Sequence, residues 1–239
     1  MKVDTLMTHS VGANTAYNAA RHSLNTIQGH HHSSSGIERY RDDNNVRWSM
    51  TVGCLLDPES VAARYMQKQV MKLPILSTGM LLGGRNGNTL VISDMHLPYQ
   101  HRDAFDWLWA LHNEYDFQQV LNVGDLIDHH AGNYHESEPD APDAETEYLL
   151  AKKYAQELQQ MFPEMITTNG NHDNIPKRKL KTVGLPPSMV SDYNQLYELD
   201  NTWVWLDKYK FSAQGAYPVV VPMVTNKRNR WDKDVMRIK

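Results

Sequence analysis

One stretch decides the fold: Thr89–His96, which reads TLVISDMH. Its first five residues are apolar, β-branched or small, and this composition predicts a buried strand over Thr89–Ser93. Asp94 and His96 follow the strand directly, one residue apart. Because side chains alternate along an extended chain, both point the same way from the strand end. The stretch therefore combines a buried strand with two side chains that are able to bind a metal.

The same arrangement recurs twice further along the chain. A second short apolar strand is predicted over Gln119–Val123, and Gly124 and Asp125 follow it. A third strand is predicted over Met165–Thr168, and the residues that come after it include Gly170, Asn171, His172 and Asp173. Each strand therefore ends in a polar cluster.

Helical periodicity predicts helices over Arg102–Tyr115 and Ala144–Met161, between these strands. Alternating strands and helices indicate a partly parallel sheet with crossover helices. In open sheets of this kind, ligands bind at the carboxyl ends of the strands. The three polar clusters are therefore where a functional site is expected.

The first eighty residues have a different pattern. Strands are predicted over Val3–Thr8, which ends next to His9, and over Trp48–Leu56. Helices are predicted over Thr15–His22 and Pro58–Val70. A strand-like run, Thr26–Gln28, leads into Gly29, His30, His31 and His32, and the glycine-rich residues from Gly83 to Asn88 predict a flexible connection.

Composition limits the class of protein. At 239 residues with 41% hydrophobic residues, the chain is long enough for one large domain or two small ones. The net charge of −4 does not favour general duplex binding, and the basic run Asn226–Arg230 is interpreted as a solvated tail. The single cysteine, Cys54, is expected to be a buried free thiol. With no apolar run long enough for a membrane span or a signal peptide, we expect a cytoplasmic protein.

The polar clusters together offer carboxylate, imidazole and amide donors. Such a mixed set suits Mn, Fe, Zn or Ni better than Ca or Mg, which prefer oxygen ligands. Each motif alone is weak: a Gly-Asp pair is often a turn, and a histidine triplet is also typical of a tag remnant or a casual metal patch. Three motifs that each follow an apolar strand are a stronger indication of a metal site.

In their order along the chain, Asp94-Met95-His96, Gly124-Asp125 and Gly170-Asn171-His172-Asp173 resemble the motifs of the calcineurin-like metallophosphoesterases, and of compact phage and bacterial members in particular. In that family a histidine segment and Gly-His-x-His come last, whereas here His9 and Gly29-His30-His31-His32 come first. The resemblance therefore implies a circularly permuted order within an α/β, four-layer α-β-β-α sandwich. Residues 1–239 would form one domain, with 1–82 as the family's C-terminal portion, 83–88 as a linker and 89–239 as its N-terminal portion.

The resemblance also implies a role for each side chain. Two divalent ions, with Mn favoured, would be bridged by Asp125, and a bridging hydroxide would be the nucleophile. The first ion would be held by Asp94, His96 and His32, and the second by Asn171, His9 and His30. His9 departs from the family pattern because Ser10, and not glycine, follows it.

The catalytic residues would be His172 and Asp173. His172 would contact the phosphate or protonate the leaving oxygen, and it would be oriented by a nearby carboxylate, either Asp173 or one near Asp125. His129 and His130 lie close enough to the second strand for one of them to reach a substrate.

The function implied is metal-dependent hydrolysis of a phosphoester substrate by a phosphodiesterase or phosphatase. One alternative is a nuclease, since the cations from Lys177 to Lys181 beside the third motif are able to meet phosphates, although the acidic total charge does not favour nucleic acid. Another is a non-catalytic binding module on the same fold. The substrate and the oligomeric state are not readable from the sequence.

Overall fold

The computed structural model describes residues 3–9, 20–41, 45–68, 73–134, 138–190 and 192–232. Its strands are β1 Thr5–Thr8, β2 Asn25–Gln28, β3 Gly36–Arg41, β4 Val46–Thr51, β5 Ser77–Gly84, β6 Gly87–Ile92, β7 Phe117–Asn122, β8 Met165–Thr168, β9 Trp203–Leu206, β10 Tyr209–Phe211 and β11 Tyr217–Pro222. Its α-helices are α1 Val61–Lys68, α2 Ala104–Tyr115, α3 Ala144–Met161, α4 Ile175–Thr182 and α5 Tyr193–Leu196. Short 3₁₀ turns cover His130–Gly132 and Pro187–Met189.

The strands form two sheets. The larger has the order β11-β5-β6-β7-β8-β9, and the strands from β6 to β9 are parallel. The smaller has the order β10-β1-β2-β4-β3, with a parallel centre and antiparallel edges. The predicted α/β class with a partly parallel sheet is therefore confirmed.

Both faces of the larger sheet are buried, which explains why its strands read as continuous apolar runs. On β6, Val91 faces the smaller sheet and joins a core with Met7, Ile27 and Met50. The neighbouring residues on β6, Leu90 and Ile92, face the other way. They pack with Trp107 and Leu108 of α2 and with Ala155 and Leu158 of α3. Among the described residues the layers thus follow the order helices, larger sheet, smaller sheet, and the outer helical layer of the expected four-layer α-β-β-α sandwich stays a prediction.

Most predicted elements are confirmed with shifts of one or two residues, and the helix Ala144–Met161 is found with the predicted ends. Asp143 caps that helix, since its side chain accepts a hydrogen bond from the Thr146 amide. Of the helix predicted over Thr15–His22, the structure describes only residues 20–22, which are helical. Cys54 is fully buried, as expected.

The prediction of a flexible connection over residues 83–88 is wrong. This segment is the turn of a hairpin, in which β5 pairs antiparallel with β6 and Gly84 lies opposite Gly87. Only two residues, Arg85 and Asn86, lie outside the strands. Gly87 has a φ of 85°, which a tight turn requires and glycine adopts freely.

The basic run near the C-terminus is also not a free tail. Arg230 pairs with Asp103 at 2.6 Å, and the Trp231 amide donates to the same carboxylate at 2.8 Å. The Asn229 carbonyl lies 3.1 Å from His101 Nε2. These contacts fix the run against the loop that precedes α2. Within the described residues, none of the helices has the length and apolar content that a membrane span requires.

Candidate metal centre

Donor side chains from both sheets meet where the parallel strands end. β6 leads into Asp94 and His96, β7 into Asp125 and β8 into Asn171. From the smaller sheet, β1 ends next to His9, and β2 is followed by His30 and His32. All seven side chains predicted as metal ligands therefore lie in one region.

The first group, called the His32 group, consists of His32, Asp94 and His96. His32 Nε2 lies 3.0 Å from Asp94 Oδ1 and 3.2 Å from His96 Nε2. His96 Nε2 lies 3.9 Å from the same carboxylate oxygen. All three side chains are almost completely buried, so the group offers two nitrogens and an oxygen that turn toward one point.

The second group, called the His9 group, consists of His9, His30, Asp125 and Asn171. His9 Nε2 lies 3.0 Å from Asp125 Oδ2 and 3.1 Å from Asn171 Oδ1. One donor atom each of His9, His30 and Asp125 lies within 4.8 Å of the others. His30 is the exposed member of the group.

Asp125 connects the two groups. Its Oδ2 lies 3.0 Å from His9 Nε2 and 4.0 Å from His96 Nε2. Donor atoms that share a transition-metal ion at bonds of about 2.0–2.2 Å lie roughly 2.8–3.6 Å from each other, from octahedral to tetrahedral angles. The shortest separations in both groups match this spacing, so the residues present fit divalent metal ions.

Hydrogen bonds on the outer side of the rings orient the histidines. His9 Nδ1 lies 2.8 Å from the Val123 carbonyl, to which it donates when Nε2 is the metal-binding nitrogen. His96 Nδ1 lies 2.5 Å from Asp128 Oδ1. Such partners fix the ring and the tautomer of a metal-binding histidine. Both rings therefore present Nε2 to the centre.

The backbone of the ligand-bearing turns is strained. Asp94, His96 and Asp125 have φ values of 50°, 52° and 48°, in the left-handed region that residues other than glycine seldom adopt. Each such residue costs about 1–3 kcal/mol and persists only where the surroundings impose it. The strain lies at the side chains proposed as ligands, as is typical of functional sites.

Two glycines are required by close packing at the centre. A Cβ on Gly170 would lie 2.0 Å from Asp125 Oδ1. A Cβ on Gly29 would lie 2.5 Å from Asp94 Oδ2. A side chain at either position would displace a carboxylate of the centre, which explains why glycine precedes both Asn171 and His30.

The segment after Gly29 does not continue as a strand. β2 ends at Gln28, and the His31 and His32 amides donate back to the Gly29 and His30 carbonyls. His30 has a φ of 69°. This segment is therefore a turn, and it directs the side chains of His30 and His32 to different groups.

His172 is held beside the His32 group. Its Nδ1 lies 3.1 Å from Asp128 Oδ1 and 2.8 Å from the Asp128 carbonyl, and its amide donates to Asp125 Oδ1 at 2.8 Å. Its ring packs edge-on against His96 with centroids 4.6 Å apart. Burial lowers the pKa of His172, but the Asp128 carboxylate outweighs this effect and raises the pKa to about 10.

Of the two carboxylates expected as alternatives beside His172, Asp173 is not the one that contacts its ring. Its two carboxylate oxygens accept hydrogen bonds from the amides of Ile127, at 3.0 Å, and Gly170, at 2.8 Å. Burial and the nearby Asp125 raise its pKa to about 7. Asp173 therefore fixes the ligand-bearing loops, and the carboxylate beside His172 is Asp128. The sequence signal for Asp128 was its position three residues after Asp125, in the turn that follows β7.

His129 and His130 lie beside Asp128 and His172. The ring nitrogens of His129 lie 3.1 Å from the His172 carbonyl and 2.8 Å from the Tyr197 hydroxyl. Burial lowers the pKa of His129 to about 4, so its ring is neutral at neutral pH. His130 is buried, with its Nδ1 3.6 Å from Asp128 Oδ2. These contacts place both residues around Asp128 and His172, and the contact of one of them with a substrate stays a prediction.

The centre is electrostatically suited to cations. Burial opposes ionisation of Asp94 and Asp125, yet the neighbouring histidines lower the pKa of both carboxyls. Burial lowers the pKa of His9, but the two carboxylates outweigh this effect and raise the pKa to about 10. Without metal, a proton on His9 balances part of the buried negative charge, and a divalent ion would replace it.

A family model described as calcineurin-like phosphoesterase matches residues 87–234, which is more than half of the chain. The comparisons with curated proteins and with solved structures give no match. The matched residues include the turns that carry Asp94, His96, Asp125, Asn171 and His172. On this match, the chain belongs to the calcineurin-like phosphoesterase family.

Proposed function

We propose that the protein hydrolyses phosphoester bonds at a centre that holds two divalent metal ions. The observation that carries this proposal is the meeting of two donor groups at one shared carboxylate, Asp125. Family membership supports the reaction class. The geometry supports proposed roles for particular side chains of this chain.

The His32 group would hold the first ion, and His9, His30 and Asn171 would hold the second, with Asp125 shared. Three of the four histidine nitrogens offered to the two shells come from the N-terminal portion, and Asn171 offers its Oδ1. The mixed nitrogen and oxygen donors favour Mn, Fe, Zn or Ni over Ca or Mg. Among these we propose Mn as the physiological ion. When bound, the ions would supply Lewis acidity and an activated water.

His172 is proposed as the general acid for the leaving oxygen. Asp128 holds Nδ1, so Nε2 is the ring nitrogen that is left to meet a substrate. The same carboxylate keeps the ring protonated at neutral pH, which a proton donor requires. Of the two alternatives that the sequence left open, Asp173 and a carboxylate near Asp125, the contacts support the second, Asp128, in the positioning role.

We also propose that the order of the motifs is circularly permuted within a single domain of residues 1–239. The residues matched by the family model, 87–234, carry the Asp-x-His, Gly-Asp and Gly-Asn-His-Asp motifs. The histidines His9, His30 and His32 lie before this match, whereas the family pattern places them after it. Their approach to Asp94 and Asp125 supports this interpretation, because position in space is kept while position in the chain is changed.

The test is to quantify bound metals and to assay bis-p-nitrophenyl phosphate and p-nitrophenyl phosphate with Mn²⁺ added. We expect about two ions per chain and Mn-stimulated hydrolysis. His9→Ala and, as a matched control, replacement of the exposed His22 by alanine would be measured alongside. Absence of metal together with absence of hydrolysis of both esters would overturn the proposal, and equal activity of the two variants would remove His9 from the site.

A further inference from the structure

The face of the molecule beside His172 carries an unneutralised positive charge. We define the basic ridge as Tyr134 together with the four cations of α4: Lys177, Arg178, Lys179 and Lys181. The ion pairs of lysine and arginine within the described residues involve Arg64, Lys152 and Arg230, so none of these four cations is in one. The helix has no acidic residue, in a chain whose net charge is −4.

An exposed aromatic ring lies between two of these cations. Tyr134 is 54% exposed, with Lys179 Nζ 4.1 Å and the Arg178 guanidinium 5.0 Å from the centre of its ring. Lys179 Nζ also donates to the Asn133 carbonyl at 3.3 Å, which ties α4 to the Tyr134 loop. An aromatic surface flanked by cations is the combination that binds single-stranded nucleic acid, by base stacking and phosphate contacts.

Both parts of the ridge begin at the proposed catalytic centre. α4 starts four residues after Asn171, and Tyr134 comes six residues after Asp128. Lys177 and Lys181 are four residues apart, so they share one face of the helix about 6 Å apart along its axis. A strand that follows the ridge would therefore bring its phosphodiester backbone toward His172.

From this geometry we propose that the basic ridge binds single-stranded nucleic acid and delivers its phosphodiester bonds to the centre. The inference rests on the proposed function for the cleavage step, but the binding itself does not need metal. Exposed apolar side chains, Val183, Leu185 and Met189, follow α4. A basic helix with apolar neighbours would also suit an anionic lipid surface, and the experiment below separates the two.

The test measures fluorescence anisotropy of a fluorescein-labelled 20-mer of deoxythymidine with the full chain in EDTA, from 50 to 200 mM salt. We expect the double variant Arg178→Gln/Lys181→Gln to bind on the order of tenfold more weakly and to have a salt slope shallower by about 1.4, since each phosphate contact on a single strand contributes about 0.7. The matched control, Lys208→Gln/Lys210→Gln, removes the same charge from exposed positions just before and within β10 of the smaller sheet and should bind like the wild type.

Tyr134→Ala should weaken binding roughly tenfold through lost stacking, whereas Tyr134→Phe should keep it. Neither the Tyr134 variants nor the Arg178→Gln/Lys181→Gln variant should change hydrolysis of bis-p-nitrophenyl phosphate. Equal binding by the ridge and control variants would overturn the inference, as would binding to phosphatidylserine vesicles without binding to the oligonucleotide. Oligonucleotide binding without any ester hydrolysis would instead support the ridge and overturn the proposed function.

Discussion

The two parts of the chain that supply the donors hold them in different ways. Asp94, His96 and Asp125 follow strands of the larger sheet, are fully buried, and lie on strained backbone. The N-terminal part supplies histidines that depend on the larger sheet for their orientation. The Val123 carbonyl orients the His9 ring. The Asp94 carboxylate contacts the His30 amide and the His32 ring.

This difference shows which part is the frame. The residues after β6 and β7 form a centre that their own sheet positions, and the N-terminal histidines complete it from outside. Such an arrangement gives the physical basis on which the proposed change of motif order would be tolerated. What must be kept is the contact of each histidine with the frame, and not its place in the chain.

The largest effect is expected from the frame. Asp125→Ala removes the carboxylate shared by both groups and leaves His9 and the His172 amide without their partner. We expect loss of metal at both positions and loss of all measurable ester hydrolysis. Metal content per chain and turnover are the measurements, and replacement of the exposed Asp106 by alanine is the control. Retention of two ions in Asp125→Ala would show that the groups do not share this residue.

The next effect separates catalysis from metal binding within the same part. His172→Ala should keep both ions and lower turnover by roughly 10²–10⁴-fold, the usual contribution of one acid–base group. Asp128→Asn should lower turnover by less and move the alkaline limb of the pH–rate profile to lower pH, because the carboxylate raises the pKa of His172. Loss of metal from His172→Ala would contradict the assignment.

A smaller effect is expected from the N-terminal part. His30→Ala removes an exposed donor from the His9 group and leaves the His32 group complete. We expect about one ion per chain at limiting metal, with activity recovered in part at high Mn²⁺ concentration. His31→Ala, the neighbouring position in the same turn, is the control. If His30→Ala lost both ions at all metal concentrations, the N-terminal part would belong to the frame.

Stability of the metal-free protein should fall at alkaline pH. The pKa values of His9 and His172 are raised from 6.5 to about 10 in the folded chain. The stabilisation from their protonation is therefore complete below about pH 6.5 and is lost as pH rises toward 10. Tm measured from pH 6 to pH 10 should decline in EDTA and decline less with Mn²⁺, because an ion replaces the proton on His9. Parallel curves would indicate that His9 binds no ion.

The same difference between the two parts of the chain explains which features could be predicted from the sequence. Strands such as Met165–Thr168 and the residues that follow them are local patterns, so three motifs and the sheet that carries them were predictable. The turn that separates His30 from His32 was not, since it depends on close packing of Gly29 against Asp94. The choice between Asp128 and Asp173 as the partner of His172 was equally hidden. Both lie within a few residues of a ligand, and only the tertiary fold decides which carboxylate meets the ring.

That choice gives the smallest expected effect on activity. Asp173→Asn keeps the shape of the side chain but exchanges one acceptor for a donor that faces the amide of Ile127 or Gly170. We expect the free energy of unfolding to fall by about 1–3 kcal/mol, the cost of one unsatisfied buried group. The shape of the pH–rate profile should stay as in the wild type, because Asp173 does not contact His172. If Asp173→Asn moved the profile as Asp128→Asn is expected to do, both carboxylates would act on His172, and the loop-fixing role inferred for Asp173 would be incomplete.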